Sequence, residues 1–158
     1  MAQQFQTKGK PQYRDRNKEP VNYEVFNNFI KTIDEKNFLD DEILKSSEKL
    51  GKFFADLGIA NTPFRKFFNQ FRILSLSGKS VADLKIQLRI LQSQIAYSVG
   101  RAESGHGSET LKKEFKELLD KCINKIITSQ NEKEYSNFMK FFESLYAYFY
   151  YYCPDKRS

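Results

Sequence analysis

The chain has 158 residues, with 26 Lys/Arg against 20 Asp/Glu, 40% hydrophobic residues and 29% charged ones. That length and mix fit one globular domain with a real core and argue against two domains or a disordered chain. Only two cysteines and one histidine are present, and no uncharged apolar run approaches the roughly 20 residues of a membrane-spanning helix, so a disulfide scaffold, a Cys/His zinc site and a helical span are all disfavoured.

Residues 1–20 are polar, with Lys8, Lys10, Arg14, Arg16 and Lys18 facing only Asp15 and Glu19, and are broken by Gly9, Pro11 and Pro20. They read as a disordered tail ahead of a helical bundle domain over 21–158. Phe26, Phe29, Ile30 and Ile33 recur at three and four, predicting a first helix over about 22–37. Asp40 is placed to cap a second helix that turns Ile43, Leu44, Leu50, Phe53, Phe54 and Leu57 inward and stops at Gly58. Residues 21–60 hold eight acids against five bases, so this pair of helices is a poor surface for nucleic acid.

Thr62-Pro63 suits a helix start, with Thr as N-cap and Pro at the first helical position. Phe64, Phe67, Phe68, Phe71 and Leu74 make the apolar stripe of this third helix, Arg65, Asn69 and Arg72 lie on another face beside Lys66, and Gly78 closes it. Ser80 with Asp83 opens a fourth helix to about Ala102. Val81, Leu84, Leu88, Leu91, Ile95 and Val99 form one apolar face, and Ile86, Ile90, Tyr97 and Arg101, with Gln94 among them, lie roughly opposite. A polar stripe of Lys85, Arg89 and Gln92 runs between. A helix apolar on two sides is either central in a bundle or half-covered by another subunit.

Residues 103–108 read as a flexible loop in which His106 is a surface residue. Ser108 is placed to cap a fifth helix to about Thr128, with Leu111, Phe115, Leu118, Leu119, Cys122, Ile123 and Ile126 inward. Asn131, with Glu134 three residues on, is placed to cap a sixth whose core stripe is Tyr135, Phe138, Met139, Phe142, Leu145, Tyr146 and Phe149. Phe141, Tyr148, Tyr150, Tyr151 and Tyr152 then cover most of the remaining circumference. This suits either a central C-terminal helix with its tyrosine hydroxyls reaching water or a subunit contact. No segment alternates with period two, so the expected fold is all-α: a single bundle of five or six helices.

The charge is not spread evenly. Residues 61–101 carry seven Lys/Arg and one Asp, which accounts for the whole formal net charge of +6. Basic side chains from two consecutive helices would line one surface if those helices pack antiparallel, and a lysine or arginine meeting a phosphate gains affinity by releasing condensed counterion. Catalysis needs converging groups that are scarce here. One loop histidine supplies no base for a serine or cysteine nucleophile, and no glycine-rich phosphate loop is present. The acidic pairs sit at helix starts, where the macrodipole explains them. The expectation is a binding protein with no enzymatic activity, no cofactor and no metal, in a reducing, cytoplasmic compartment. A stand-alone nucleic-acid-binding protein and a protein–protein adaptor both fit these features.

Three blocks narrow the choice: Asn61 to Phe67 (N-T-P-F-R-K-F), Leu91 to Arg101 with its Tyr97-x-x-Gly100-Arg101 end, and Phe138 to Tyr148 (F-M-K-F-F-E-S-L-Y-A-Y). In order, spacing and helical context the chain resembles the small helical subunit of type III-A CRISPR interference (Csm-type) complexes. Pro63 stands where that family often has Gln, and Ser144 where Ala is usual. The resemblance implies a non-catalytic subunit stacked in several copies along the guide–target duplex, beside the backbone subunits and the large subunit, and touching target RNA. Carried over by position, Arg65, Lys66 and Arg101 would face RNA. Arg72, Lys85 and Arg89 join them from helix geometry alone. Tyr97, Phe142, Glu143 and Tyr148, with Tyr151 beyond them, read as fold or subunit-contact residues.

Overall fold

A computed structural model describes residues 20–105 and 110–153. They form six helices: α1 (Tyr23–Thr32), α2 (Asp41–Leu57), α3 (Asn61–Ser75), α4 (Val81–Glu103), α5 (Lys113–Thr128) and α6 (Glu134–Tyr152). The tail up to residue 19, His106 and Ser108 lie outside the described residues.

Local signals account for several helix ends. The Asn22 side chain accepts from the Glu24 amide at 3.0 Å, that of Asp40 from Glu42 at 2.9 Å, and that of Ser80 from Asp83 at 3.2 Å. Each satisfies an amide that the first turn leaves without a helical partner. Gly58 ends α2 in the left-handed region at φ 91°, a conformation that costs glycine little.

Elsewhere tertiary demands overrode the local signals. α1 stops at Thr32 rather than near residue 37 because both Ile33 and Phe38 are fully buried, and the chain must turn to bring them to one core. The Asn37 side chain holds that turn by accepting from the Leu39 amide at 2.9 Å. Thr62 does not cap α3. The helix begins two residues earlier than that cap would place it, at Asn61 after Ala60, with no side-chain cap, and Pro63 is its third residue, buried in the first turn. Buried Asn61 accepts instead from the Tyr146 hydroxyl of α6 at 3.1 Å. α5 begins at Lys113, beyond Ser108, and likewise has no side-chain cap. Asn131 shapes the turn before α6 by accepting from the Lys133 amide at 3.0 Å, but the helix starts only at Glu134. That glutamate is buried, and the Ser129 hydroxyl donates to it at 2.9 Å.

α6 is the central element. It packs most extensively on α2, then on α3, and also touches α5. Its crossing with α2 uses small residues at four-residue spacing, Ser47, Gly51 and Ala55, all buried. Ser47 and Ser144 exchange a hydroxyl hydrogen bond at 3.0 Å there. The aromatic side chains interlock around this axis. The Phe64 ring lies 4.4 Å from Phe149, 5.0 Å from Phe115 and 5.8 Å from Phe142. Phe141 stacks on Phe29 at 5.3 Å, and Phe68 on Tyr146 at 4.7 Å. Such pairs add about 0.5–1.5 kcal/mol each beyond the area they bury. The central-helix reading of the tyrosine-rich α6 therefore accounts for most of its circumference.

Candidate nucleic-acid interface

α3 turns Phe64, Phe67, Phe68 and Phe71 into the core, and that burial decides what faces outward. At about 100° per residue, Arg65, Asn69 and Arg72 follow one outer line with Lys66 to one side. All four are exposed. The Lys66 ammonium lies 5.5 Å from the centre of the Phe67 ring, a cation–π contact that steadies its aliphatic stem.

α4 packs mainly on α5 and only lightly on α3, whereas α3 leans on α6. The antiparallel pairing of the two basic helices is therefore not the main contact of either one. The cause lies in the aromatic stripe of α3, which finds its partners on α6, while Leu88, Leu91, Ile95 and Val99 bury the inner face of α4.

The basic residues of α4 divide accordingly. Lys85 and Arg89 flank the side nearest α5. The Arg89 guanidinium donates through Nη1 to Gln92 Oε1 at 3.1 Å and to Asn124 Oδ1 of α5 at 3.0 Å. Both acceptors are neutral amides, so they orient the cation without neutralising it. Arg101 lies round the helix beside Tyr97, with its guanidinium 5.7 Å from the centre of the tyrosine ring.

The second apolar face of α4 is exposed to solvent. Tyr97 is 66% exposed, and Ile86 and Ile90 lie open on the same stripe. α4 is thus a peripheral helix. Ile73 and Leu76, at the end of α3, are 69% and 76% exposed and extend the apolar surface to the α3–α4 turn. Sequence reasoning missed these two. Their signal was available, since Leu76 falls on the line of Arg65 and Arg72 and Ile73 beside Lys66, both away from the phenylalanine stripe.

Among the other candidate residues, Phe142 is fully buried and belongs to the core. Glu143 is exposed on α6, and Tyr148 and Tyr151 are open near its end. Tyr152 is tied back to α2, its hydroxyl donating to Glu48 at 3.0 Å.

Among the described residues, no three His, Cys, Asp or Glu side chains are grouped so as to hold a metal ion. Cys122 and Cys153 are buried and unpaired with each other, and burial pushes the Cys122 thiol well above its ordinary range. No described helix is long and apolar enough to cross a membrane.

Fold and surface together define a small all-α bundle with a buried aromatic axis and an outer face, carried by α3 and α4, that mixes cations with exposed apolar side chains. The family model described as Csm2 Type III-A matches residues 36–155, and the chain belongs to that family. It is therefore a small structural subunit of the multi-subunit type III-A CRISPR complex. The match reaches well upstream of the three sequence blocks, into the turn that places Phe38. Comparison with curated proteins and with solved structures gives no match.

Proposed function

We propose that this subunit is non-catalytic, works in the cytoplasm, and holds target RNA by its backbone within the type III-A complex. Several copies stack along the guide–target duplex, next to the backbone subunits and the large subunit. Arg65, Lys66, Arg72, Lys85, Arg89 and Arg101 supply the cations, and Glu143, Tyr148 and Tyr151 meet neighbouring protein. The observation that carries this reading is the concentration of the whole net charge of +6 in residues 61–101, on α3 and α4, whose buried apolar faces, aromatic on α3 and aliphatic on α4, leave the cations on the other sides. Contacts of this kind carry no sequence information, which suits a subunit that must accept any target.

The test is the Arg65→Ala, Lys66→Ala, Arg89→Ala variant assembled with its partner subunits. It is expected to fold and assemble but to bind target RNA more weakly, with a salt dependence flattened by about 0.7 per lost phosphate contact on a single strand. RNA affinity and salt slope equal to those of wild type would overturn the assignment. Failure to assemble with RNA contact intact would instead point to an adaptor face, a reading favoured by exposed Ile73 and Leu76.

A further inference from the structure

We propose that Tyr97, Gly100 and Arg101 form a stacking platform for one unpaired base of an RNA strand. This rests on the reading that the α3–α4 face meets RNA, and it adds the form of RNA that the outer stripe of α4 takes.

Three observations converge. First, Tyr97 is 66% exposed in the middle of a well-formed helix, so its ring contributes little to the core and is presented to solvent. Second, Arg101, one turn on, holds its guanidinium 5.7 Å from the centre of that ring. Helical side chains lean toward the N-terminus, so residue i+4 lies over residue i. An aromatic face beside an arginine is the pairing by which proteins hold single-stranded nucleic acid: the ring stacks on any base, and the guanidinium meets the adjoining phosphate or stacks in its turn.

Third, Gly100 occupies the i+3 position relative to Tyr97. A Cβ built there would meet nothing within 4 Å. Neither packing nor a left-handed backbone requires a glycine there, since the positive-φ glycines of the described chain are Gly58, Gly78 and Gly105. A helical glycine weakens its helix relative to alanine. Here its effect is to leave one flank of the Tyr97 ring clear, where any longer side chain would lean across it. Ile86 and Ile90 continue the exposed apolar stripe toward the N-terminus, about three and two turns from Tyr97. A base paired within a duplex cannot reach such a surface, so the platform selects an unpaired one.

The test uses the full-length chain and a short single-stranded oligoribonucleotide carrying a fluorescent purine analogue, with the fully paired duplex of the same sequence as control. Binding of the single strand is expected to quench the analogue, and the duplex to leave it unquenched. Tyr97→Leu, which keeps an apolar side chain but no ring, should lose the quench and weaken single-strand binding roughly 5- to 150-fold without changing the salt slope. Tyr97→Phe should retain both quench and affinity. Arg101→Gln should lower the slope of log affinity against log salt by about 0.7. Gly100→Leu should block the quench while the fold persists. Equal binding and quench for Tyr97→Leu and wild type overturn the platform, and so does loss of binding in Tyr97→Phe. If Tyr97→Leu is silent while the Arg65, Lys66, Arg89 variant loses RNA, the platform falls and the basic face stands. If neither variant changes binding, both readings fall.

Discussion

Gly51 offers a sharp test of how the core is built, because the same substitution at a second helical glycine should act in the opposite direction. A Cβ at position 51 would lie 2.6 Å from the Phe149 amide nitrogen and 2.8 Å from both the carbonyl carbon and the Cβ of Tyr148. None of these atoms can swing away by changing rotamer, so Gly51→Ala must push α2 from α6 along their shared interface. Overpacking of a tight core costs about 1–3 kcal/mol, and with backbone as the obstacle the upper end applies. Alanine returns about 1 kcal/mol through its better helix propensity. The net loss is about 2 kcal/mol, or about 4–8 °C in melting temperature for a domain of this size. Gly100→Ala faces open space and should gain about 0.5–1 kcal/mol. Thermal melts followed by far-ultraviolet circular dichroism measure both. A Gly51→Ala protein melting at or above wild type would refute the tight crossing. Equal losses in the two variants would show that packing is not what separates them.

Three more outcomes follow from the core. Phe64→Ala removes a fully buried ring from the centre of the aromatic cluster and should cost about 3–5 kcal/mol, read as a drop in denaturant midpoint; a loss under about 1 kcal/mol would mean that the cluster is loosely packed. In alkali the bundle should weaken. Burial raises the Cys122 thiol above its ordinary 9.0, and burial raises the Tyr135, Tyr146 and Tyr23 hydroxyls above their ordinary 10.0, that of Tyr23 with help from Glu114. The hydrogen bond to Glu48 does the same for Tyr152. Raised folded-state values mean that the neutral forms favour folding. Their contribution is complete below about pH 9 and is lost as pH climbs past the ordinary values toward the folded ones; a midpoint unchanged at pH 11 would contradict this. Both thiols are buried, so a thiol reagent should label neither at a rate near that of a free cysteine until denaturant is added, and fast labelling of the native protein would place one of them at the surface.

The number and phase of the helices were readable because burial follows period 3.6 so closely here. The inward residues expected for α3, α5 and α6 are almost all in the core. Helix starts were less legible. Thr62 and Asn131 carry good capping side chains, yet Asn61 is held by Tyr146 across the bundle and buried Glu134 by Ser129 in the preceding turn, and these bonds set the boundaries. Phe38 was missed because it has no helical neighbours to give it a period. It lies in a turn and is fixed by Phe138 at 5.5 Å and Phe141 at 5.8 Å. The two-faced character of α4 could be seen, but not which face would be covered. That depended on where the phenylalanines of α3 found partners, a question of tertiary pairing. The basic cluster was visible as charge, and helical spacing already set Lys85 and Arg89 apart from the Tyr97 and Arg101 stripe, whereas the anchoring of Arg89 on Asn124 required the position of α5.

The amide partners of Arg89 make electrostatics and shape separable on this surface. Asn124→Asp is nearly isosteric and would preserve the direction of the guanidinium, yet it would set a formal negative charge 3.0 Å from it. The arginine would keep its place and lose much of its reach into solvent. A series running from amide to carboxylate at positions 92 and 124 would thus grade the local field while the contour stayed constant. Beside the guanidinium the new carboxylates would stay ionised below the ordinary carboxylate range, so the graded field would hold in neutral and mildly acidic solution alike.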